Sequence, residues 1–152
     1  MRIRGLHGRL RAAIVATALI AGGARAAPTC KGLSTSPVAF GSYNPVSATP
    51  TDSVGTISYF CPGALSPVIS ISAGSAGSFS PRGMVGVDVL GYNLYADAAR
   101  TVVWGDGTSG TVTVPGVVST NPATANIYGR IFPLQNVSAG SYSDTLIVTI
   151  NF

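Results

Sequence analysis

Gly140-Ser-Tyr-Ser-Asp-Thr-Leu-Ile-Val-Thr-Ile-Asn-Phe152 reads as a β-strand that runs to the last residue of the sequence. Leu146, Val148, Ile150 and Phe152 fall on one face and Thr145, Ile147, Thr149 and Asn151 on the other, the two-residue period of an extended chain. One face therefore asks for a core. The stretch has no proline, and no charge after Asp144, so at a sheet edge it offers bare N–H and C=O groups to a further strand. Something is expected to cover it.

Upstream, short alternating segments separated by turn residues fill the chain at the spacing of a β-sandwich, and no stretch holds a helical period. Val38 and Phe40 lead into a turn cluster, Gly41 to Pro45, and a polar passage through Pro50, Thr51 and Asp52 is expected to break the chain. Gly55 to Cys61 reads as a strand with Ile57, Tyr59 and Cys61 on one face, and Val68 to Ser72 as the next, with Ile69 and Ile71 inward. A Gly/Ser-rich loop from Ala73 to Pro81 ends at Arg82, which its Gly and Pro neighbours mark as a solvated loop charge. Leu90 to Tyr95 and Thr101 to Trp104 form a predicted hairpin across the polar turn Asp97 to Arg100. Thr111 to Val114 is a further predicted strand, then a loop from Pro115 to Ala125, then Ile127 and Ile131 on one face opposite Tyr128 and Arg130. Tyr142 and Asp144, between the Gly140 turn and the last strand, fit a tyrosine corner, in which the phenol bonds backbone across a loop.

The amino end carries a different signal. Arg2, Arg4, Arg9 and Arg11 precede an apolar run from Ala12 to Ala21, and Ala24-Arg25-Ala26 places small residues where a signal peptidase reads. Residues 1–26 are therefore expected to be a signal peptide, leaving 27–152 as one domain. The run is too short for a membrane span, which needs roughly 20 apolar residues. Cleavage removes the only histidine, His7, and most of the basic residues; Lys31, Arg82, Arg100 and Arg130 then face five aspartates. Without clustered Lys and Arg, nucleic-acid binding has no compositional support. Export also decides the cysteines: Cys30 and Cys61 are the only two, and an oxidising compartment favours a disulfide. Closing that loop stabilises the fold by on the order of 3 to 4 kcal/mol.

Catalytic chemistry has little to work with. The mature chain has no His and no Glu, so Ser-His-Asp and Cys-His arrangements are excluded and no enzyme activity is expected. Five scattered aspartates at turns are accounted for by backbone hydrogen bonding rather than by a glycosidase pair. No metal site or cofactor is expected: Asp106 lacks further acids at calcium-loop spacing, and the glycine-rich segments open no helix that could cradle a phosphate. Trp104, with Tyr92 and Tyr95, has two readings, core aromatics or a platform for stacking a sugar, of which core is favoured.

In order, Cys30; Phe40-Gly-Ser-Tyr43-Asn-Pro45; Gly55-Thr-Ile57 running to Cys61; Arg82-Gly-Met84; Leu90-Gly-Tyr92-Asn-Leu-Tyr95 with Asp97; Trp104-Gly-Asp-Gly107; Tyr128-Gly-Arg-Ile131; and Gly140 to Phe152 resemble the spore coat U domain family, the subunits of archaic (Csu-type) chaperone-usher pili. The resemblance covers the mature chain. It implies an incomplete immunoglobulin-like β-sandwich that lacks its final strand. A periplasmic pilus chaperone would lend a strand beside the C-terminal one, and at the outer-membrane usher a neighbouring pilus subunit would replace it, a case of strand addition with pockets for alternate side chains. By the same resemblance Leu146, Val148, Ile150 and Phe152 line one wall of the acceptor groove, and the chaperone grips the Phe152 carboxylate.

Polymerising members carry a donor segment of about ten residues ahead of the first Cys, the length an extended strand needs. Here only Ala27-Pro28-Thr29 would remain after cleavage, and Pro28 removes a ladder donor. The expectation is a subunit that accepts a strand without donating one, as at a pilus tip on the cell surface, with a role in adhesion or biofilm and a surface or glycan receptor. The other reading is a free-standing secreted coat or matrix protein, or a carbohydrate-binding module that uses Trp104.

Overall fold

A computed structural model describes residues 30–63, 66–119 and 121–152; the expected signal peptide lies outside them. Eight strands follow in order: β1 (Lys31–Ser36), β2 (Thr51–Phe60), β3 (Val68–Ile71), β4 (Arg82–Val85), β5 (Val89–Tyr95), β6 (Val114–Pro115), β7 (Ala123–Ile131) and β8 (Val148–Asn151). They form two sheets, β1-β2-β7-β5-β4 and β6-β3-β8, with every neighbouring pair antiparallel. The described residues contain no helix.

Alternation sets what the sheets enclose. Ile57 and Tyr59 of β2, Ile69 and Ile71 of β3, Leu90, Tyr92 and Leu94 of β5, and Ile127 and Ile131 of β7 are buried between the layers. A disulfide joins Cys30 to Cys61 and ties the start of β1 to the end of β2. The predicted hairpin is present as a bridge between Tyr95 and Val103, its turn held by the Asp97 carboxylate, which accepts from the N–H of Thr101 and of Val102.

Three sequence expectations are corrected, and one choice between two readings is decided. The polar passage does not break the chain: β2 starts at Thr51, because cross-strand pairing with β7 satisfies its backbone regardless of side-chain polarity, and Asp52 faces Arg130 across the ladder. The Thr111–Val114 strand shrinks to Val114 and Pro115; Thr111 instead closes a turn, its hydroxyl donating to the Thr108 carbonyl. Arg82 is not solvated. It is fully buried, and its guanidinium donates to the carbonyls of Ser72 (3.0 and 3.1 Å) and Trp104 (2.7 Å) and to Asn93 Oδ1 (2.9 Å), with its carbon 4.9 Å from the Phe79 ring centre. Trp104, Tyr92 and Tyr95 are buried, and Trp104 Nε1–H donates to the Ile69 carbonyl at 3.0 Å, so the sugar platform is lost and the core reading holds.

β1 was not marked by any periodicity, since Lys-Gly-Leu-Ser-Thr-Ser is exposed throughout. Among the described residues it pairs with β2 on one edge only and sits at the rim of its sheet. β8 likewise pairs, among the described residues, with β3 alone, at the rim of the other sheet.

Candidate functional site

The two rims face a shared opening. Between the segment that continues β1 and the segment that leads into β8 runs a groove of about 1130 Å³. Its floor is the core itself, reached at Met84, Leu90, Tyr92, Leu94, Ile127 and Ile131.

The first wall starts at Leu33, half exposed, and turns inward after Pro37. Val38 and Phe40 then pack over glycines of the larger sheet. A Cβ on Gly129 would stand 2.5 Å from Val38 and 2.7 Å from the Phe40 ring, and one on Gly55 2.8 Å from Val38, so the absence of side chains there lets the wall seat. Phe40 also meets Tyr92 edge to face, with ring centres 6.0 Å apart. Farther along, the Tyr43 hydroxyl donates to the Phe132 carbonyl (3.1 Å) and accepts the Gln135 N–H (2.8 Å), while the Gln135 amide brackets the Gly91 backbone at 2.7 Å on both sides. These bonds pin the wall to β5 and to the end of β7.

The second wall is the stretch quoted first. The Tyr142 phenol donates to the Ser138 carbonyl at 2.7 Å, four residues upstream, which is the geometry of a tyrosine corner. Ser143 exchanges both backbone hydrogen bonds with Val85, and Asp88 accepts the Ser138 N–H at 2.7 Å. Asp144 bonds in two directions: Oδ1 accepts the Ser75 N–H (2.7 Å) and Oδ2 accepts the Tyr92 hydroxyl (2.6 Å). Burial pushes the Tyr92 phenol well above its ordinary pKa, and the neighbouring carboxylate adds to this, so Tyr92 stays a proton donor. Among the described residues, Asp144 is the only charged one that lines the groove.

Of the four residues expected on this wall, Leu146 and Val148 line the groove. Ile150 packs on the core opposite Ile69, and Phe152 lies beyond the last ladder pair, 52% exposed. The inward alternation of Leu146, Val148 and Ile150 against exposed Ile147, Thr149 and Asn151 holds in the structure. Only Val148 to Asn151 form a regular strand; before it, Ile147 extends the pairing by accepting the Ser72 N–H. The opposite wall, Val38, Phe40 and Tyr43, was missed as part of the site; its sequence signal was the Phe40-Gly-Ser-Tyr43 cluster, which reads as a turn. Among the described residues no three His, Cys, Asp or Glu side chains come together as metal ligands, and no helix is long and apolar enough to cross a membrane.

Comparison with known proteins fits this architecture. One chain of the crystal structure of the CsuC-CsuE chaperone-tip adhesion subunit pre-assembly complex, from archaic chaperone-usher Csu pili of Acinetobacter baumannii, superposes with a TM-score of 0.58 at 19% identity, over 82% of this chain and 40% of that one. The present chain thus spans about two fifths of that structure's chain, and the likeness is one of fold: an incomplete immunoglobulin-like β-sandwich. Protein U of Myxococcus xanthus is 36% identical over 127 residues, covering 74% of this chain and 70% of Protein U. The profile of the Spore Coat Protein U domain family matches residues 15–149, and on these grounds the chain belongs to that family.

Proposed function

We propose that this protein is a strand-accepting subunit of a chaperone-usher pilus, exported through the periplasm to the cell surface. The observation that carries the reading is the open groove: two sheet rims, β1 and β8, each paired on one side only, flank a cleft whose floor is the hydrophobic core. An inserted strand would find backbone partners along the rims and apolar seats for alternate side chains below. A periplasmic chaperone would supply that strand first and a neighbouring subunit later, with the usher as the site of exchange; Phe152, at the exposed end of the second wall, would be part of the strand the chaperone holds. Likeness in fold to a chain of a chaperone-subunit complex supports this. We also propose residues 1–26 as a cleaved signal peptide, which would leave a subunit that receives a strand and gives none, suited to a pilus tip. Mass spectrometry of the exported chain locates its first residue, and a start well ahead of Ala27 would refute the tip placement.

The central test joins a ten-residue donor peptide to Phe152 through a flexible linker and compares melting with the unfused chain. Complementation predicts a large rise in Tm, together with loss of the aggregation expected of open strand edges. Cooperative, soluble unfolding of the unfused chain with no change on fusion would refute it and favour a free-standing coat or matrix protein.

A further inference from the structure

Resting on the strand-accepting reading above, we propose that the strand received by the groove presents a Lys or Arg side chain to Asp144. Floor and walls are otherwise uncharged, so apolar and small side chains satisfy the rest of the groove. Asp144 differs. An ionised carboxylate has about four acceptor sites, of which the Ser75 N–H and the Tyr92 hydroxyl occupy two. Asp144 lines the open groove, which leaves it within reach of an inserted strand.

Inserting a strand over Leu146 and Val148 also removes water from Asp144, which stands on the same inward-facing series of the same wall. Desolvating a carboxylate is strongly unfavourable unless a donor replaces the water. The chain has none to spare among its described cations. Arg82 is near enough for Asp144 to act on its charge, but its N–H groups are taken by carbonyls and an amide oxygen and so give Asp144 no donor, while Arg100 and Arg130 both pair with Asp52. Lys31 is exposed in β1, on the far rim. The missing donor therefore comes with the strand. A cation serves better than a hydroxyl, because it adds the attraction of opposite charges, which water screens less once the strand covers the site.

The test uses the exported chain and synthetic ten-residue peptides of alternating Val and Thr. Lys is scanned through each position, with Gln at the same position as the neutral control, and binding is read by fluorescence anisotropy. The expected result is one position, or two of the same parity, where Lys binds at least about tenfold tighter than Gln, with the advantage shrinking at high salt. In Asp144→Asn the ratio of Lys-peptide to Gln-peptide affinity at that position falls to about one, whatever the variant does to binding of the unsubstituted Val/Thr peptide. Should that variant fail to fold, the Lys-against-Gln scan and its salt dependence on the unaltered chain still decide. Binding of the neutral peptide with no Lys preference at any position, or a preference that survives Asp144→Asn, overturns the charge pairing alone. Failure of every peptide to bind overturns the strand-accepting reading, and this proposal with it.

Discussion

Replacing Arg82 with Met removes a side chain that its Gly and Pro neighbours in sequence mark as solvated and that the fold buries. Met fills most of the aliphatic volume, so cavity effects stay small, and the loss falls on the hydrogen bonds. The Ser72 and Trp104 carbonyls are left without the guanidinium that joins the end of β3 to the segment after β5, whereas Asn93 Oδ1 keeps the Leu94 N–H. Each orphaned buried acceptor costs about 1–3 kcal/mol, which sums to about 4 kcal/mol, in the range of about 3–5 kcal/mol for stripping a buried charge from its partners. Exchange for a hydrophobe can be neutral when both members of an ion pair go; here the acceptors are backbone and remain. Arg82→Lys should recover part of the loss, since an ammonium is a point charge that cannot span the same acceptors as the planar fork. The assay is urea unfolding of the peptide-complemented chain, with the midpoint converted through the m-value. A change within about 0.5 kcal/mol, the behaviour of an ordinary surface site, would refute the buried-staple argument.

Other substitutions report on the groove walls and on charge. Gly129→Ala drives a methyl into Val38 and Phe40; overpacking of this kind costs about 1–3 kcal/mol, and donor-peptide affinity should fall with it as the first wall shifts, which titration calorimetry would show. Tyr142→Phe deletes the bond to the Ser138 carbonyl and should cost about 1 kcal/mol in thermal melts, with no loss of solubility. On acidification, Asp52, held low chiefly by its hydrogen bond from Arg130, and Asp88, Asp97 and Asp106, held low chiefly by hydrogen bonds from Ser138, Val102 and Thr108, have folded pKa values below their unfolded ones. Their contribution is present above about pH 4 and is lost as pH falls through the folded values, so Tm should drop below that pH; a flat Tm there would contradict these contacts. Tyr92 carries the opposite sign. Its phenol is raised by burial and then by Asp144, so its contribution is intact below about pH 10 and declines above it, and Tyr92→Phe should flatten the alkaline limb of a Tm profile.

Much of this protein was legible in local patterns. Alternation placed Ile57 and Tyr59, Ile69 and Ile71, and Leu146, Val148 and Ile150 inward, because a two-residue period needs no knowledge of partners. Residue type supplied the tyrosine corner at Tyr142 and, through the expectation of export, the pairing of Cys30 with Cys61. Other features depended on what approaches from distant sequence. β1 has no alternation to read, because all six of its residues are exposed and what holds it is backbone pairing with β2. Arg82 looked solvated because Gly and Pro surround it in sequence, while its acceptors at Ser72, Asn93 and Trp104 converge only in the folded core. The terminal strand was visible from the start as an unfinished edge. Only the tertiary structure showed its opposite wall, seated on Gly55 and Gly129, and placed Asp144 as the lone charge between them, because a groove is a relation between segments about a hundred residues apart, and no local stretch encodes it.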